Sequence, residues 1–192
     1  MPTAYQFVVG VGCLVGLGVL WLFGRRLVKA WVIYRGTRIV VCPETREIVA
    51  VAVDARHAAL SAPAGRPALR LESCTRWPEK RACGQECLGQ IESAPEACLL
   101  RGILTDWYGA KSCAFCARGF GTLHWHDHRP ALLAPDGALV DWTGFAPEQV
   151  VDVLATHKPV CWDCRVAEGF RREHPELLID RPPRPGPPPS MA

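Results

Sequence analysis

Four cysteines in two matched pairs carry the strongest chemistry in this 192-residue chain. CAFC places Cys113 and Cys116 three positions apart, and CWDC repeats the spacing at Cys161 and Cys164. A two-residue spacer lets both sulfurs of a pair reach one ion at about 2.3 Å, and two such pairs complete a tetrahedral thiolate set. The expected ion is zinc in a closed structural site. Four thiolates also bind iron, so iron stays open as the alternative.

A second group follows the same chemistry with less regular spacing: Cys74, Cys83, Cys87 and Cys98, with Cys42 as a rival ligand. Closing a short loop costs less chain entropy than closing a long one, which favours the four that lie nearest in sequence. A helix after Pro78 would put Cys83 and Cys87 at i and i+4 on one face. SAPE, from Ser93 to Glu96, has capping-box spacing and predicts a new helix there. Its core stripe would be Leu99, Leu100, Ile103, Leu104 and Trp107, with Cys98 on the opposite face. Cysteines without metal are the other reading of this group.

His124, His126 and His128 alternate around Trp125 and Asp127. TLHWHDHRPALLAPDGALVDW reads as two strands about the PDG turn, and on a strand the three imidazoles would share one face. The expectation is polar side chains on a hairpin, hydrogen-bonded to Asp127 or Asp141, with no catalytic residue among them.

The elements that must position these groups begin with an apolar stretch. Tyr5 to Phe23 carries no charged side chain and suits a helix crossing roughly 30 Å of hydrocarbon. A signal peptide would need basic residues before the apolar run, whereas here Arg25, Arg26, Lys29, Arg35 and Arg38 come after it. The positive-inside rule then places the N-terminus outside and the rest in the cytoplasm of a bacterial-type inner membrane. Thiols there stay reduced, which favours metal ligation over disulfides. Gly12 and Gly16 have GxxxG spacing, which would allow a homodimer through the span.

Residues 24–35 form a basic and aromatic juxtamembrane segment. From 36 to 108 comes a β-hairpin about PETR, with Cys42 at its mouth, then a short helix near Ala55 to Leu60 and the second cysteine group. Residues 109–178 hold the CxxC pairs, a helix from Pro147 to Leu154, and a last helix opening at CWDC. Residues 179–192 are a proline-rich tail with no expected helix or sheet. The fold class is α+β. A net charge of +3 with no long basic run gives no support to nucleic-acid binding.

A CxxC knuckle, a hairpin, and a helix with a second CxxC in its first turn resemble a treble-clef zinc finger over about a quarter of the chain. The same stretch distantly resembles HNH nucleases, themselves treble-clef derivatives. That resemblance implies His128, in Asp127-His128-Arg129-Pro130, as general base beside a divalent ion. The hairpin offers no asparagine, however, and Arg165 stands where a metal-binding histidine often lies. The expected function is a membrane-tethered, zinc-binding interaction or assembly module without enzymatic activity. Its partners would be the bilayer and another membrane or cytoplasmic protein. A rubredoxin-like iron electron carrier and an HNH-like nuclease are the alternatives.

Overall fold

The apolar run and the basic segment after it form one helix, α1 (Ala4–Tyr34, 31 residues), about 46 Å long at 1.5 Å per residue. Arg25 and Arg35 lie over the rings of Trp21 and Trp31, one turn earlier, at 5.5 and 4.8 Å. These stacked cations carry the helix through its basic region. The stretch Val8–Tyr34 is long and apolar enough to cross a membrane. The structure is a computed structural model and describes residues 4–177 apart from Pro78 and Arg81; the tail 179–192 lies outside the described residues. These residues fall into two compact units. One runs from α1 through Trp107 with Phe145–Val153, and the other holds Tyr108–Gly144 with the residues from Leu154 on.

Gly36, at φ +99°, turns the chain out of α1, and a Cβ there would sit 3.2 Å from Leu99 Cδ1. The first unit then builds an antiparallel sheet, β1 (Thr37–Val41), β2 (Ile48–Val53) and β3 (Leu71–Cys74), in the order β1-β2-β3. The valine-rich strands are β-branched and alternate as expected. Val40 pairs with Val49 and Val51 with Cys74, so these side chains share one face. That face packs with Val53, Leu71, Cys87 and the fully buried Ile91. Between β2 and β3, α2 (Ala55–Ser61) is capped by Asp54, which accepts from His57 N at 2.8 Å. Its Ala59, with Ala62, packs on Ala30 of α1 beside Leu27 and Tyr34.

Arg38 is the one buried charged side chain among the described residues. Its guanidinium donates to Pro95 O and Ile33 O and lies over the Tyr34 ring. The outer edges of the sheet meet glutamines. Gln90 exchanges two bonds with Val41, accepting from its N–H at 3.1 Å and donating to its carbonyl at 2.7 Å. On the other side Gln85 Oε1 accepts from Leu71 N at 2.9 Å.

Two expected helices are different here. Residues 82–87 are turn and irregular chain, and α3 (Leu88–Ser93) starts only after Cys87, so Cys83 and Cys87 do not share a helix face. Gln85 sits at φ +55°, which no α-helix accommodates. The next helix, α4 (Leu100–Gly109), begins well after SAPE. Ala94 ends α3 in a non-helical conformation, and the following carbonyl, on Pro95, is taken by Arg38.

The second unit holds β4 (Ala131–Leu133), β5 (Leu139–Val140) and β6 (Lys158–Val160), in the order β5-β4-β6, all antiparallel. α5 (Val150–Thr156) precedes β6, and α6 (Trp162–Glu173) follows it. Tyr108 is fully buried and donates to Ala131 O at 3.1 Å. The histidines lie before β4, in a turn closed by His128 N to His124 O at 3.1 Å, and not on the expected strand. Trp125 is drawn to Tyr108 and Trp142, at 6.3 and 5.9 Å between ring centres, which bends the segment away from extended geometry.

Gly102 gives a test with opposite signs. In an ordinary exposed helix Gly→Ala gains about 1 kcal/mol. Here the added methyl would stand 2.5 Å from Glu96 O. Gly102→Ala is therefore expected to destabilise the protein by about 1–3 kcal/mol, read from urea unfolding of the full chain in detergent by tryptophan fluorescence. A gain in stability would show that the turn before α4 does not press against it.

Candidate metal centre

The loop from Ser112 to Gly119 is a tight knuckle. Cys113 N donates to Arg118 O and Ala117 N donates to Cys113 O, both at 2.9 Å, and Ala117 takes φ +58°. Ala114 N donates to Pro159 O at 2.8 Å, which ties the knuckle to the strand leading into CWDC. Cys161 caps α6, and Cys164 lies in its first turn.

All four sulfurs, of Cys113, Cys116, Cys161 and Cys164, lie within 4.8 Å of one another. Cys116 Sγ is 3.8 Å from Cys161 Sγ, and Cys161 N donates to Cys113 Sγ at 3.3 Å. Cys113 is buried and the other three are half-buried. Ala131, Val160, Phe120, Leu133 and Leu139 pack around them. Four converging thiols with no oxygen ligand suit a soft ion such as zinc or iron. Among the described residues this is the one group of three or more His, Cys, Asp or Glu side chains converging so closely.

The electrostatics divide the four. Hydrogen bonds from the Arg118 backbone and guanidinium bring Cys116 down to about 6. Burial opposes the charged form of Cys113, but N–H groups of Cys161, Cys116 and Phe115 outweigh it and the pKa falls. Burial pushes Cys161 up, and Cys164 further up, where hydrogen bonding to Cys161 and Cys116 adds to the effect. Without metal the knuckle thiols are thus the more readily ionised pair and the helix thiols the less. Arg118, which also pairs with Asp163 at 3.1 Å, carries a role that spacing alone did not reveal. Its signal is a cation two residues after the CxxC.

The histidines stand apart from this set. His128 packs edge-on to Trp162 at 5.6 Å and to His124 at 6.3 Å. With Arg118 and Asp163 they border a shallow cavity of about 220 Å³. Arg165 pairs with Asp141 at 3.1 Å, and Asp141 also accepts from Thr143 N at 3.0 Å. The position after the second CxxC is thus occupied by an ion pair.

In the second cysteine group, Cys87 is buried against the sheet, while Cys42, Cys74 and Cys98 pack beside it. Burial first, and then the nearby Cys74, Cys83 and Cys42, push the Cys87 thiol up to about 11. Cys98 Sγ faces Gln90 O at 3.7 Å.

No family model, curated protein or solved structure matches the chain.

Metal entry must displace the protons that burial keeps on Cys161 and Cys164. Zinc added to the metal-stripped protein near pH 7 is expected to release at least the two protons of Cys161 and Cys164 at this centre, measured by acidification of a weakly buffered solution. Zinc affinity should fall as pH falls, and more steeply below about 6, where Cys116 of the metal-free protein also takes up its proton. Uptake without proton release would contradict the thiol state of the helix pair.

Proposed function

We propose that the chain is a membrane-anchored zinc protein whose treble-clef-like segment, Cys113 to Cys164, is a structural centre in a non-enzymatic interaction or assembly module on the cytoplasmic face. The convergence of four sulfurs within 4.8 Å carries this reading. Four thiolates fill a tetrahedral zinc shell and leave no position for a reacting water. The order of elements supports the treble clef, with the Cys113–Cys116 knuckle, the β4–β5 hairpin and α6 opening on Cys161. β6 and α5 lie between hairpin and helix as additions.

The anchor is α1. At about 46 Å it exceeds the roughly 30 Å hydrocarbon core, so its basic last turns project beyond the bilayer as a stalk. Arg25, Arg26, Lys29 and Arg35 at that end favour a cytoplasmic domain. Against a nuclease stand the packing of His128 on Trp162 and the commitment of Arg165 to Asp141.

X-ray absorption of the purified full-length protein is expected to show four metal–sulfur distances near about 2.3 Å and no oxygen ligand. Chelation should abolish tertiary tryptophan signals of the Cys113–Cys164 unit while leaving α1 helical. A bound water, or a metal-free protein that keeps its tertiary signals, would overturn the structural role. Visible absorption bleached by reductant would instead identify the iron carrier. Divalent-dependent DNA cleavage lost in His128→Ala would identify the nuclease. A C-terminal green fluorescent protein fusion should glow and an alkaline phosphatase fusion stay inactive; the reverse would invert the topology.

A further inference from the structure

The turn at Cys42 repeats the backbone of the Cys113 knuckle. Cys42 N donates to Glu47 O at 2.8 Å and Arg46 N donates to Cys42 O at 2.7 Å, with Arg46 at φ +59°. The Cys113 turn has the same two bonds, five and four residues apart, and the same left-handed residue, Ala117 at φ +58°. The sulfurs are served alike. After the Thr45 hydroxyl, N–H groups three and two residues on, of Thr45 and Glu44, lower the Cys42 pKa, as those of Cys116 and Phe115 lower that of Cys113. Thr45 stands where Cys116 stands, and its hydroxyl is the largest influence lowering the Cys42 pKa. Backbone N–H groups gathered on a sulfur are what a metal-bound thiolate requires.

The other cysteines are brought to this turn by specific contacts. Arg76 donates to Thr45 Oγ1 at 2.7 Å and pairs with Glu47, and Lys80 pairs with Glu44 at 3.8 Å. These bonds hold the segment between Cys74 and Cys83 beside the knuckle. Cys42 and Cys74 pack on the sheet face where Cys87 is buried, and after burial itself Cys74, Cys83 and Cys42 raise the Cys87 pKa. Cys98 packs on the same cluster, but its sulfur is turned to Gln90 O at 3.7 Å and its carbonyl accepts from Ile39 N at 2.8 Å.

We infer that Cys42, Cys74, Cys83 and Cys87, without Cys98, are the ligands of a second four-thiolate centre for a zinc-class divalent ion. Thr45 serves it as a hydrogen-bond donor to the knuckle sulfur. The four sulfurs are more widely spread than those of the first centre, which alone converges within 4.8 Å among the described residues. Binding therefore tightens the Cys83 arm onto the sheet, and the thiol protons leave to solvent. This centre stands independently of the Cys113 set.

Cobalt(II) titration of the reduced, metal-stripped full chain in detergent tests it. Two ions per chain are expected. Cys42→His keeps both, because imidazole is also a ligand, but shifts part of the d–d absorption to shorter wavelength. Cys42→Ser lowers the count to one, whereas Cys98→His and Cys98→Ser keep two ions and the wild-type spectrum. Cys113→Ser loses the other ion and retains this one. A wild-type count of one that falls to zero in Cys113→Ser would overturn the second centre and leave the first intact. A spectral shift in Cys98→His with none in Cys42→His would overturn the ligand set.

Discussion

A guanidinium taken out of water needs hydrogen-bond partners inside the protein, and the two terminal nitrogens of Arg38 find them in segments distant from each other in sequence, while Nε has none. One carbonyl, of Ile33, belongs to the last turn of α1, and the other, of Pro95, to the turn ahead of α4. Burial lowers the pKa of Arg38, and the Cys98, Tyr34 and Glu96 side chains act in the opposite sense. A buried charge with one partner removed is costly. The arginine thereby fixes where the helix ends, where β1 begins and how the chain between α3 and α4 returns to the sheet. The small aliphatic core of β1, β2 and β3 could not specify that arrangement by burial alone, because apolar contact is non-directional.

What the sequence displayed clearly was local. The two CxxC pairs converge because each pair is preset by its own turn, leaving one long closure to be made by the β4–β6 pairing. The Ile48–Val53 strand, the Asp54-capped helix and the helix opening at Cys161 follow from period and capping, and each is present. What was hidden was decided by side chains reaching across the fold. Gln85 leaves helical geometry while its amide takes the N–H of Leu71. Pro95 lies in a turn ahead of α4, with its carbonyl accepting from Arg38. The histidine segment alternates like a strand, but Trp125 packs with Tyr108 and Trp142, and the chain turns instead.

The two knuckles show how little of such a turn is written in its cysteines. One carries CAFC and the other CPET, yet the hydrogen bonds and the left-handed residue coincide. The left-handed position is filled by alanine in one and arginine in the other, so no glycine marks either. A search for paired cysteines finds the first and passes over the second.

The glutamines on the sheet have a consequence for association between copies. An outer strand normally exposes N–H and C=O groups that a second copy can extend into a longer sheet. Gln90 gives Val41 both of the bonds that a neighbouring strand would supply, and Gln85 occupies the N–H of Leu71. Each amide acts as a one-residue strand that cannot propagate. At these positions the sheet is closed to a further strand, and copies brought together would meet through their side chains and not by sharing backbone.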